Sequence, residues 1–83
     1  MTAWPQDKPF KVSRNMATGD RLTRTTEDRE FYATESEARA AFTVPRIRNE
    51  CSRTLTVLHF GKPDNYGHRD SMECLSIKRF RKP

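Results

Sequence analysis

Tyr32-Ala33-Thr34-Glu35-Ser36-Glu37-Ala38-Arg39-Ala40-Ala41-Phe42 contains a helix start written out residue by residue. Thr34 and Glu37 stand in the Thr-x-x-Glu spacing of a capping box, in which the Thr34 hydroxyl accepts from the Glu37 amide and the Glu37 carboxylate reaches back to the Thr34 amide. Glu35 and Glu37 also put negative charge in the first turn, where the helix dipole favours it. Ala38, Ala41, Phe42 and Pro45 then fall at i, i+3, i+4 and i+7, a narrow apolar stripe of small residues and one ring. A helix of roughly ten residues is marginal alone in water, so packing must hold this one. Its small side chains predict a close approach to a sheet. Val44-Pro45 disfavours further helix, because proline restricts the residue before it and lacks a donor; alternatively, Thr43 caps a second short turn through Arg46-Ile47-Arg48.

On the N-terminal side of this helix the sequence reads as a hairpin. Phe10, Val12, Arg14 and Met16 alternate with Lys11, Ser13 and Asn15, the period-two pattern of a half-exposed strand. Ala17-Thr18-Gly19-Asp20 supplies turn chemistry, and the return strand begins at Arg21-Leu22-Thr23-Arg24-Thr25-Thr26. Glu27-Asp28-Arg29-Glu30 is then either a bulge or the solvated middle of a long strand, before Phe31-Tyr32-Ala33 delivers the chain to the cap. Residues 1–8, with Trp4-Pro5, form an irregular leader whose tryptophan either docks on the core or waits for a partner.

On the C-terminal side, Thr54-Leu55-Thr56-Val57-Leu58-His59-Phe60 has apolar residues on both faces and reads as a central strand. Gly61 to Asp70 is a loop longer than a hairpin needs, and a loop of that length exposing Tyr66, His68 and Arg69 is a candidate contact surface. Ser71 to Phe80 is the last strand, with Leu75 and Ile77 assigned to one face and Cys74, Ser76 and Lys78 to the other. Residues 81–83 are a basic tail. The chain of 83 residues is thus one small α+β domain, a four-stranded antiparallel sheet in the order β-β-α-β-β with one helix packed on one face. The other face is left open, with charged and hydroxyl side chains.

Composition narrows the function classes. Hydrophobic residues make up 34% of the chain and charged residues 33%, so the core is small and the surface dense in charge. The net charge is +5, distributed unevenly: residues 1–37 carry six cations against seven carboxylates, while residues 38–83 carry ten against four. Arginine outnumbers lysine by eleven to five, and its planar fork suits bidentate contact with phosphate or carboxylate. No apolar run has the length of a membrane span and no signal peptide is evident, which places the protein in a cytoplasm. There Cys51 and Cys74 are read as two partly buried thiols in preference to a disulfide.

Catalytic and metal chemistry find little support. Cys51, His59, His68 and Cys74 are spaced C-x7-H-x8-H-x5-C, without the close pairs from which structural zinc sites draw their ligands. His59 fits a packed or sheet-surface histidine better. Neither a Gly-x-Ser-x-Gly turn nor a glycine-rich phosphate loop is present, so neither an enzyme nor a cofactor is expected. The strongest chemical signal is Ile77-Lys78-Arg79-Phe80-Arg81-Lys82-Pro83, four cations around one ring, which suits a phosphate backbone plus stacking on a base. Arg46, Arg48 and Arg53 enter the third strand and extend the same surface. Six such contacts would lower affinity roughly a thousandfold between low and moderate salt. The candidate binding residues are accordingly Arg46, Arg48, Arg53, Tyr66, Arg69, Lys78, Arg79, Phe80, Arg81 and Lys82.

An extended segment running straight into a capped, alanine-rich helix at Tyr32-Ala33-Thr34-Glu35-Ser36-Glu37-Ala38, with a hairpin on each side, resembles several small phage-encoded anti-CRISPR proteins of β-β-α-β-β architecture. The resemblance covers about residues 8–80. It implies a non-enzymatic inhibitor in the host cytoplasm that binds a multisubunit, RNA-guided surveillance complex and blocks target DNA. Many such inhibitors are acidic and mimic DNA, whereas this chain is basic, so its cations would meet guide RNA or acidic protein surface. The alternatives are a stand-alone RNA- or DNA-binding protein and an accessory subunit docking on a nucleoprotein assembly.

Overall fold

The computed structural model describes residues 4–63, 65–67 and 69–80. Four strands, β1 (Phe10–Thr18), β2 (Arg24–Tyr32), β3 (Glu50–His59) and β4 (Ser71–Arg79), form one antiparallel sheet in the order β2-β1-β3-β4, and α1 (Glu35–Phe42) follows β2. The α+β class read from the sequence is the class observed. The segment at Glu27–Glu30 is the exposed middle of β2, paired without interruption from Phe10↔Tyr32 to Thr18↔Arg24. The turn between β1 and β2 uses Gly19 at φ 82° and then a single 3-10 turn at Asp20–Leu22, closed by the Leu22 amide donating to the Gly19 carbonyl at 3.1 Å.

Thr34 caps α1 as its spacing predicts, although the Glu37 carboxylate meets the Thr34 hydroxyl where the capping box expects the Thr34 amide. The Thr34 hydroxyl accepts from the Glu37 amide at 3.2 Å and donates to the Glu37 carboxylate at 3.0 Å. The helix ends at Phe42, where the Thr43 amide still reaches the Arg39 carbonyl at 3.0 Å. Ala38 is fully buried and lies in one cluster with Val12 and Leu55, flanked by Phe10, Tyr32, Ala41, Phe42 and Leu75. The small residues of α1 therefore do bring the helix close to β1 and β3. Pro45 lies beyond the helix and is exposed.

Two bulges reset which side chains share a face. In β3 the register passes from Asn15↔Ser52 to Met16↔Glu50, which leaves Cys51 as the extra residue and turns Glu50 onto the same face as Arg53. In β4 it passes from Leu55↔Ser76 to Thr56↔Cys74, so Leu75 is the extra residue. Leu75 packs against the core under the helix, while Ile77, opposite Thr54, is exposed on the far side. The assignment of Leu75 and Ile77 to one face is thereby corrected. Cys51 and Cys74 are both free thiols, and Cys74 is exposed where a partly buried position was expected.

The open face is less polar than the alternation implied. Trp4 folds back onto it, tilted against Phe31 at 5.6 Å with the Lys11 ammonium 4.7 Å from the tryptophan ring, and its indole N–H donates to the Lys8 carbonyl at 3.0 Å. Met72 and Ile77 add exposed apolar surface there. No helix among the described residues is long and apolar enough to cross a membrane.

Candidate nucleic-acid interface

The end of the sheet at which β1 and β4 finish and β3 begins brings Arg46, Arg53 and Lys78 together around Phe80. Its foundation is an ion pair between Arg53 and Glu50, both with 0% exposure. Arg53 Nε donates to Glu50 Oε2 at 2.8 Å and Nη2 to Oε1 at 2.6 Å, a bidentate fork. The same guanidinium donates to the carbonyls of Phe42 at 2.7 Å, Val44 at 2.6 Å and Pro45 at 3.2 Å, and the Ile47 amide donates to Glu50 Oε1 at 3.1 Å. One buried side chain thus ties the last turn of α1 and the 43–49 connection to the sheet. Burial would push the Glu50 carboxyl up, but the hydrogen bonds from Arg53 and Ile47 and the attraction of Arg53 and Arg14 hold it below its ordinary value.

A second arginine lies directly across the sheet. Arg14 pairs in register with Arg53, is 5% exposed, and donates from Nη2 to the Ala41 carbonyl at 3.2 Å, while its Nε is buried without a partner among the described residues. The row across the strands at this level reads Asp28, Arg14, Arg53, Lys78. Further along β2, Tyr32 donates to Glu30. Burial pushes the Tyr32 phenol above its ordinary range, and Glu30 acts in the same direction against Arg14.

Above the buried pair stands Phe80, whose amide donates to the Cys51 carbonyl at 2.9 Å and so prolongs the β3–β4 ladder past Arg79. Three cations approach its ring: Arg46 at 5.5 Å, Arg53 at 5.4 Å and Lys78 at 5.4 Å from the centroid. Arg46 is fixed from below by Nε donating to the Glu50 carbonyl at 2.9 Å. Beside Phe80 opens a groove of about 520 Å³, to which Arg46 and Phe80 contribute together with Arg21 and Leu22 of the 3-10 turn. No local sequence pattern joins these residues; the antiparallel register does.

The sequence-predicted residues therefore separate. Arg46, Lys78 and Phe80 converge, and Arg48 is exposed in the adjoining turn. Arg53 does not belong to the exposed set, because it is enclosed and its donors are spent inside the chain. Arg79, one residue from Lys78 and opposite Ser52, is exposed on the other face of the sheet. Tyr66, 88% exposed, and Arg69 sit in the loop at the opposite end of the strands, about 25 Å away at 3.3 Å per residue. That loop is pinned at its mouth by the Gly61 amide donating to Asp70 Oδ1 at 2.7 Å. Arg81, Lys82 and His68 lie outside the described residues. Sequence reasoning missed Arg21, because only the strand order brings the β1–β2 turn beside the 43–49 connection.

Among the described residues no group of three or more His, Cys, Asp or Glu is placed to hold a metal ion. His59 instead faces Glu73 across β3 and β4, with Nε2 at 3.0 Å from Oε1. The fold and the site define a small α+β protein whose four-stranded antiparallel sheet carries one helix and ends in a cation-rimmed groove. No family model, curated protein or solved structure matches the chain.

Proposed function

We propose that the protein is a non-enzymatic binding protein that grips the RNA of a nucleoprotein assembly through the cations around Phe80. The observation that carries this reading is convergence. Arg21 from the β1–β2 turn, Arg46 from the 43–49 connection, and Lys78 and Phe80 from the end of β4 reach one end of the sheet from three separate parts of the chain. Cations beside a ring are the combination that holds a single-stranded backbone and stacks on its bases. The resemblance to anti-CRISPR proteins supplies the kind of assembly: an RNA-guided surveillance complex in a host cytoplasm, whose guide RNA is the polyanion and whose target DNA is kept from pairing.

Titration of the whole chain with single-stranded RNA at rising salt, alone and within an assembled surveillance complex, tests the proposal. Four phosphate contacts, from Arg21, Arg46, Arg48 and Lys78, give a slope of log affinity against log salt of about −3. Binding to the complex with loss of target DNA hybridisation is the expected result. Tight binding to bare RNA with normal target hybridisation favours the stand-alone nucleic-acid-binding protein. Absence of binding to RNA in either form overturns both.

A further inference from the structure

The groove beside Phe80 has a chemistry of its own. Ala17, Leu22, Cys51 and Phe80 supply the apolar part of its lining, Thr23, Thr25 and Asn49 the neutral polar part, and Arg21 and Arg46 its two guanidinium-bearing residues. Its volume of about 520 Å³ falls in the range of sites that enclose small ligands. Backbone conformation points to the same place. Three non-glycine residues among those described have positive φ, Arg21 at 59°, Leu22 at 55° and Asn49 at 67°, and all three line this groove. Such conformations are costly outside glycine and collect where a ligand must be clamped. Arg21 makes no ion pair among the described residues, and Leu22 is 44% exposed although it is an apolar side chain in a charged surface.

We infer that this groove is a binding site for a nucleoside phosphate, with the base against Leu22 and Phe80 and the phosphate held by Arg21 and Arg46. A flat ligand with apolar faces, polar edges and an attached anion matches all three parts of the lining. A carboxylate side chain would satisfy the guanidinium groups and leave the apolar lining wet. The inference rests on the nucleic-acid reading above where the ligand belongs to a strand, and stands apart from it where the ligand is a free nucleotide.

Methyl NMR on the intact chain tests it with three probes: uridine and adenosine 5′-monophosphate, a five-residue oligouridylate, and a five-residue abasic sugar-phosphate strand of equal charge. The site predicts saturable shifts of the Ala17, Leu22 and Thr25 methyls with base-bearing probes, and oligouridylate affinity about tenfold above the abasic strand. Leu22→Ser, which removes the apolar contact for the base from an exposed turn, should erase that difference. Shifts with the mononucleotides but equal affinity for the two strands would identify a free nucleotide as the ligand. Groove methyls unmoved by every base-bearing probe would overturn the inference. If the strands then still bind with the salt slope given above, the polyanion reading survives, and if they do not, both fall.

Discussion

Arg53 and Arg46 stand at nearly the same distance from one ring, 5.4 and 5.5 Å from the Phe80 centroid, and their roles are opposite. Arg53 is fully enclosed and spends its donors on one carboxylate and three carbonyls. Arg46 is exposed and, among the described residues, makes one hydrogen bond, from Nε to the Glu50 carbonyl. The first holds the fold, and the second is available to a partner. A count of cations near Phe80 cannot separate these roles, whereas a count of the donors each has committed does.

Removing Arg53 should give the largest effect. Arg53→Ala leaves the Glu50 carboxylate buried alone and strands the carbonyls of Phe42, Val44 and Pro45, a loss of about 3–5 kcal/mol for a broken buried pair. Against a total of about 5–15 kcal/mol for a domain, this brings the chain near unfolding. Arg53→Lys should fare little better, because one ammonium cannot span the fork and the three carbonyls. Urea unfolding followed by circular dichroism gives the number. A loss under about 1 kcal/mol would erase the distinction between the two arginines, since that is what one ordinary hydrogen bond contributes.

The pH response of the same pair comes next. The Glu50 carboxyl titrates below its ordinary value of 4.5 in the folded chain, so folding favours the ionised form. Its contribution is fully present above the unfolded value and is lost as pH falls through the folded one. Glu50→Gln should therefore be less stable than the parent at neutral pH, and the gap should narrow below pH 4.5 as the parent's own carboxyl takes up a proton. Urea midpoints measured across that range would show it, and a gap of constant width would sink the assignment.

These two residues also mark where the sequence stopped being legible. The cap at Thr34, the hairpin around Gly19 and the central place of β3 follow from local chemistry: spacing, turn residues and β-branched alternation. Glu50 and Arg53 stand three apart in a strand, which ordinarily puts them on opposite faces. The bulge at Cys51 restores them to one face, and bulges depend on the partner strand. Leu75 and Ile77 were misassigned for the same reason, through the extra residue in β4. The groove was hidden one level higher, because Arg21 joins Arg46 and Phe80 only once β3 is known to lie beside β1.

Arg46→Ala should change binding more than stability. Losing its hydrogen bond to the Glu50 carbonyl sets a stability loss of about 1 kcal/mol. On RNA, the loss of one phosphate contact should reduce the magnitude of the salt slope by about 0.7. A variant as unstable as Arg53→Ala would show that Arg46 too belongs to the scaffold, and would remove the rim on which the polyanion reading depends.

The smallest effect is the most discriminating. Arg39 lies on α1, half-exposed and paired with Glu35 at 2.6 Å in an i,i+4 arrangement of the kind that contributes about 0.3–0.5 kcal/mol. Alanine is the better helix former, so part of that loss is offset and Arg39→Ala should leave stability within about 0.5 kcal/mol of the parent. It nevertheless removes the same unit of charge as Arg46→Ala. If RNA is drawn by net charge alone, the two variants must weaken binding equally; if it is held at the end of the sheet where Arg46 and Lys78 approach Phe80 and Arg21 shares its groove, Arg39→Ala should keep the parental salt slope while Arg46→Ala does not. Equal slopes for the two variants would dissolve the site into a merely basic surface.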